Sequence, residues 1–182
     1  MEPRAAIWTF TLALTCLAAV WDWRSRRIPN WLTVSGAVGG MTLHVVLSGW
    51  RGAIFSLEGL GIALALLLPL VYLRALGAGD WKLMGAVGAF LGWKLLLVVL
   101  LGSIFAAGMM AVVQTARAGR VAETLRNTWT LVKGFVTFGM KKHPQISLDN
   151  PKLLKLPFGV AVAAATLACF CVAYWPVWKQ IF

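Results

Sequence analysis

Long apolar runs separated by short basic turns dominate the chain. The first three runs cover about residues 5–23, 31–49 and 53–73. Each is close to the roughly 20 residues that a helix needs to cross a hydrocarbon core. Arg24 to Asn30 forms the first turn and Trp50 to Gly52 a minimal second one. From Leu83 to Val113 the chain is apolar except for Lys94. At 1.5 Å per residue, residues 80 to 93 supply only about 21 Å, against a core of about 30 Å. One long span, or two joined by a tight turn at Gly92–Lys94, both fit that pattern.

Charge decides between them. With two spans, 13 of the 17 basic residues fall on one side, and Arg4, Arg51, Lys94 and Lys179 on the other. With one span, the eight basic residues from Arg117 to Lys155 move outside, against the tendency of Lys and Arg to stay on the cytoplasmic side. The pattern therefore predicts six spans with both termini outside. The sixth covers about residues 156–178 and ends in Tyr174, Trp175 and Trp178, an interfacial aromatic cluster. Within the connection 117–155, Val121, Leu125, Trp129, Val132 and Val136 recur at helical spacing among basic residues. They predict an amphipathic helix in the cytoplasmic interface, followed by an irregular loop from His143.

Composition agrees with this all-α, polytopic bundle. Sixty per cent of the 182 residues are hydrophobic and 13 per cent charged, about half the charged share of a soluble domain. The length allows one membrane-embedded domain, residues 1–182, and no second soluble one. The net charge of +11 is explained by orientation and by anionic lipid, since the basic residues lie between apolar runs and not on a soluble face. Nucleic acid is not an expected partner. Cys16, Cys169 and Cys171 each sit inside an apolar run without Cys-x-x-Cys spacing, so no metal site or disulfide framework is expected. The first run could pass for a signal peptide. The three arginines after it, against Arg4 alone before it, favour an uncleaved span.

The chain has three aspartates, and two of them carry the candidate chemistry. Asp22 ends span one in VWDWRSRRIPNW, and Asp80 opens span four in LGAGDWKLMG. The predicted topology puts both carboxylates at the same membrane depth, on the cytoplasmic face, in different helices. Asp149 lies in a polar loop. Two carboxylates facing across a water are the minimum apparatus of aspartic proteolysis. One, ionised, takes a proton from the attacking water, while the other, protonated, supports the oxyanion and then supplies the leaving amine. Close like charges cannot both ionise, so such a pair shares a proton. Gly77 and Gly79 lack a Cβ, which lets the backbone leave helical geometry and lets another chain, such as an extended substrate, approach. Pro29 discourages helix at Ile28. The competing reading makes Asp22 a solvated interfacial carboxylate paired to Arg24 or Arg26.

Asp22 to Asn30 resembles the D-(x)4-R-I-P-N element of the type IV prepilin peptidases, and Gly77 to Leu83 their G-x-G-D-x-K-L element. Leu156 to Ala161, LPFGVA, is similar to the opening of that family's last span. The resemblance implies an integral-membrane aspartic protease of the bacterial inner membrane that needs no cofactor. It cuts the short basic leader from prepilins and pseudopilins at the cytoplasmic face. It further implies Asp22 and Asp80 as the catalytic pair. Gly77, Gly79, Lys82, Arg27, Pro29 and Asn30 would shape the site or meet substrate. Larger members carry paired Cys-x-x-Cys elements and methylate the trimmed pilin. Their absence here is similar to the short, peptidase-only form serving Flp-type (tight-adherence) pili, whose partners would be pilin precursors, lipid and pilus assembly proteins.

Two rival readings fit the same residues. One is a presenilin-like protease with a G-x-G-D element, although Val20-Trp21 precede Asp22 where that group has Tyr. The other is a non-catalytic component of pilus assembly or secretion in which the aspartates form structural ion pairs. Glu58 reads as a snorkelling or helix-bonded carboxylate, and His44 as a core histidine bonded to a neighbouring helix.

Overall fold

The computed structural model describes residues 3–74, 76–117, 119, 129 and 156–174. Among the described residues the chain is all helical, with four helices and no strand: α1 Pro3–Ser25, α2 Asn30–Tyr72, α3 Ala78–Arg117 and α4 Phe158–Tyr174. The first three contain stretches long and apolar enough to cross a membrane, whereas α4 is shorter, at 17 residues. The predicted amphipathic helix and loop at 117–155 lie outside the described residues, apart from Arg117, Gly119 and Trp129. So do Trp175 and Trp178 of the aromatic cluster.

Both long helices are broken at a glycine with positive φ. Gly49 (φ 57°) interrupts α2 and Gly92 (φ 69°) interrupts α3, a backbone region that L side chains avoid. The break in α2 reverses the chain. A Cβ at Gly36 would lie 3.4 Å from the Ala86 methyl, and one at Gly85 would lie 3.0 Å from the Leu64 side chain. Gly36 and Leu64 therefore flank two consecutive residues of α3, whereas a straight helix would hold them about 42 Å apart. The first arm of α3 thus lies against both arms of α2. Beyond Gly92, the second arm meets α4, where a Cβ at Gly102 would come 3.2 Å from the Ala165 methyl.

Small residues let these helices approach closely. Gly59 and Gly88 face each other with no room for a Cβ on either, and Gly52 lies directly on the His44 carbonyl. Glycine-mediated contact of this kind is how helices pack where lipid removes the hydrophobic drive. Leu83, Met84, Val87, Leu96, Val99 and Val162 are fully buried in the core so formed. Val46, Leu101, Phe105 and Val112 project outward, as expected where the surrounding solvent is hydrocarbon.

Polar side chains inside the bundle find backbone partners, because an unsatisfied group in hydrocarbon costs several kcal/mol. Thr11, Thr15, Ser103 and Thr166 donate back to the carbonyl four residues earlier. Ser56 donates to the Ala89 carbonyl at 2.8 Å, and His44 Nε2 lies 2.7 Å from the Phe90 carbonyl. A carbonyl only accepts, so Nε2 carries the proton. His44 is the helix-bonded core histidine that its isolation in the sequence suggests. Glu58 is exposed on α2.

Candidate active site

Asp22 sits in the last turn of α1, and its carbonyl accepts the Arg26 N–H at 2.9 Å. The helix then stops. Arg26 adopts a positive φ of 53°, and the single Ser25 hydroxyl proton lies in hydrogen-bond reach of the Trp21 and Arg27 carbonyls, at 2.8 and 3.0 Å from its oxygen. Pro29, extended at φ −68° and ψ 140°, caps α2 and accepts the Leu32 and Thr33 N–H groups. Asn30 opens α2. The break predicted from Pro29 is therefore present, but it is confined to residues 26–29, because α1 keeps its hydrogen bonds beyond its apolar run.

Asp80 is the third residue of α3. Its carboxylate takes a backbone hydrogen bond from Gly77, the residue just before the helix, and the Gly77 carbonyl accepts the Trp81 N–H at 3.1 Å. An acidic group in a first helical turn also complements the helix dipole. A Cβ at Gly77 would lie 2.9 Å from Asp80 Oδ2, so glycine there makes room for the carboxylate itself. Gly79 was expected to loosen the helix for an approaching chain. It lies inside α3, and the chain that approaches it is the protein's own: its Cβ would meet Ile28 Cβ at 3.2 Å.

Four elements converge here. Asp22 is 5 % exposed although it is acidic, and it is held from the side by α4, whose Gly159 N–H donates to Asp22 Oδ2 at 2.7 Å. Arg26 lies within electrostatic reach of the Asp22 carboxylate, and Asp22 within reach of Asp80. Lys82 Nζ donates to Asn30 Oδ1 at 3.0 Å, tying the start of α3 to the start of α2. Arg27 is exposed at the same edge. Trp81 anchors the other side of the Asp80 turn, its indole N–H donating to the Leu64 carbonyl at 2.8 Å.

The residues singled out in the sequence thus fall at one end of the bundle: Asp22, Arg27, Pro29 and Asn30 on the α1–α2 side, Gly77, Gly79, Asp80 and Lys82 on the α3 side. Sequence reasoning gave no site role to Gly159 or Trp81. Gly159 is the glycine of the LPFGVA stretch, two residues after a proline, and only its position opposite Asp22 reveals what it touches. Chemically, two carboxylates within electrostatic reach of each other disfavour simultaneous ionisation, and Asp22 is buried and fixed by an amide.

Comparison with known proteins is consistent with this arrangement. No curated protein and no solved structure matches the chain. A scan against protein families matches residues 9–112, more than half of the sequence and a stretch that includes both carboxylates, to the type IV leader peptidases. The chain belongs to the type IV leader peptidase family.

Proposed function

We propose that the chain is a membrane-embedded aspartic endopeptidase that removes the leader peptide from type IV prepilin-like precursors, of the Flp type, at the cytoplasmic face of the inner membrane. The observation that carries this reading is that Asp22 and Asp80, from the end of one helix and the start of another, lie within electrostatic reach at an edge where Gly79 lies against Ile28 and Lys82 bonds Asn30. In this reading they are the catalytic pair. The ionised member takes a proton from a water held between them as its oxygen attacks the scissile carbonyl carbon. The protonated member gives its proton to the carbonyl oxygen, forming a neutral diol. When the diol collapses, one hydroxyl returns its proton to the carboxylate that protonated the carbonyl, the C–N bond breaks, and the amine leaves with the proton taken from the water. Proton transfers alone complete the cycle, so it calls for no metal or organic cofactor.

The proposed topology has six spans in one domain, the breaks at Gly49 and Gly92 serving as the outer turns and both termini lying outside. The basic connections then face the cytoplasm, where anionic lipid and pilus assembly proteins are the expected neighbours. Gly77, Gly79 and the Lys82–Asn30 pair shape the edge where the leader would lie, with Arg27 and Pro29 opposite. The lack of Cys-x-x-Cys pairs favours a peptidase without methyl transfer.

The test is cleavage of a co-expressed Flp-type prepilin in membranes by the unaltered chain, Asp22→Asn and Asp80→Asn, with insertion of each measured in parallel. Both well-inserted variants are expected to lose at least about a hundredfold in rate, the lower end of what a positioned acid or base contributes. Wild-type cleavage by either variant removes that residue from the catalytic pair.

A further inference from the structure

We propose that Gly159 is a positioning residue for Asp22: its backbone N–H fixes the carboxylate, and its missing side chain makes the space in which the carboxylate sits. This rests on the reading of Asp22 as catalytic.

Asp22 cannot be held by its own helix. It lies in the last turn of α1, where the free backbone groups are carbonyls, and a carboxylate needs donors. The donor comes from the opposite kind of helix end. Gly159 is the second residue of α4, so its N–H belongs to the first four, which have no partner within the helix. It donates to Asp22 Oδ2 at 2.7 Å in a buried contact, the short end of the range for a charge-assisted N–H···O bond. The start of α4 is itself fixed, since the Pro157 ring is fully buried and the Pro157 carbonyl accepts the Val160 N–H at 3.2 Å. With one oxygen tied, the carboxyl group no longer rotates freely about χ2, and its other oxygen is presented in one direction.

The need for glycine follows from the same contact. Gly159 does not have positive φ, so its backbone would accept any ordinary residue. A Cβ there would meet Asp22 Cβ at 3.0 Å and Asp22 Oδ2 at 3.1 Å, with the Ala18 carbonyl next at 3.4 Å. The two nearest atoms both belong to Asp22. A methyl group at 159 therefore acts first on the aspartate and only secondarily on the packing of α4 against α1.

The experiment uses the full chain in detergent or liposomes with a purified Flp-type prepilin, measuring kcat and KM separately. Replacing Gly159 by glycolic acid turns its amide into an ester, deleting the N–H and adding no atoms. This chain is expected to lose about tenfold or more in kcat, with KM within twofold of the original. Gly159→Ala is expected to do the same. Gly102→Ala is the matched control, because its methyl enters α4 packing at Ala165, 3.2 Å away, and does not touch Asp22; its kcat should stay within twofold. A glycolic-acid chain with unchanged kcat overturns the proposal. So does a Gly102→Ala chain that loses as much kcat as Gly159→Ala. Asp22→Asn in the same assay separates the layers: if it is inactive while the ester chain is fully active, positioning alone fails. If Asp22→Asn cleaves normally, the catalytic reading fails first.

Discussion

Lys82 donates a hydrogen bond from Nζ to Oδ1 of Asn30, joining the starts of two helices across 52 positions of the chain. Each side chain is thereby oriented at the edge of the carboxylate site. Because the bond is partly solvated, its net contribution should be about 0.5–1 kcal/mol. Asn30→Ala and Lys82→Ala should each slow leader cleavage a few-fold, and the double variant should be no slower than the slower single one. A double-mutant cycle on cleavage rate reads that coupling. Additive losses would mean that the two residues act separately, Lys82 on the substrate and not through Asn30.

Gly77 tests the space around the second carboxylate. Gly77→Ala places a methyl 2.9 Å from Asp80 Oδ2, closer than ordinary van der Waals contact, without meeting any other described atom closer than the same carboxyl group. Cleavage should fall about tenfold, equivalent to about 1.4 kcal/mol of misplacement. Thermal unfolding of the detergent-solubilised protein should move little. A large loss of stability with full specific activity would make Gly77 a packing residue only.

The two helix breaks differ in what surrounds them. Gly92 has positive φ, and a Cβ there would collide with the Phe55 ring, whereas Gly49 has positive φ in open space. Gly92→Ala should therefore destabilise by about 2–4 kcal/mol, combining backbone strain with overpacking. Gly49→Ala should cost about 1–3 kcal/mol from the backbone alone. Gly61→Ala, helical and facing open space, should be neutral or slightly stabilising. Unfolding of the three variants in one detergent checks the order.

Trp81 braces the Asp80 turn through its bond to the Leu64 carbonyl. Trp81→Phe keeps most of the ring's contact area and removes the N–H. Hydrogen bonds between membrane helices average about 0.6 kcal/mol, so unfolding should shift only slightly. A loss of cleavage larger than that shift implies would show that the bond holds Asp80 in place. An unchanged rate would limit Trp81 to packing.

The all-helical architecture and its long apolar helices were legible because hydrophobic length is set by the bilayer. A break near Gly92 follows from the split of basic residues, since length alone allows one span or two, and a break near Gly49 from the short turn at Trp50–Gly52. Their exact residues were less legible. The turn expected at Trp50–Gly52 falls at Gly49 because positive φ needs a glycine there, while Gly52 is used for close contact with the His44 carbonyl. The end of α1 at Ser25 reflects backbone bonds that outlast the apolar run. Asp22 and Asp80 stood out because carboxylates are rare in such a chain. Gly79 stays helical and serves close approach to Ile28, a neighbour too distant in sequence for its local context to reveal. Gly159 was opaque for the same reason, as no periodicity relates residues from the first and last helices.

The bond from Gly159 to Asp22 spans 137 positions of the chain, and this has a consequence for assembly. Asp22 leaves the ribosome with the first helix, long before its donor is made. Until α4 is synthesised and docks, the carboxylate has no amide to hold it, and its buried seat beside Ala18 does not yet exist. A nascent chain carrying both aspartates therefore does not yet hold Asp22 as the complete chain does. Under the proposed function, the pair takes its final form only once the last helix has docked, and the cleavage rate of chains truncated before residue 158 tests that order.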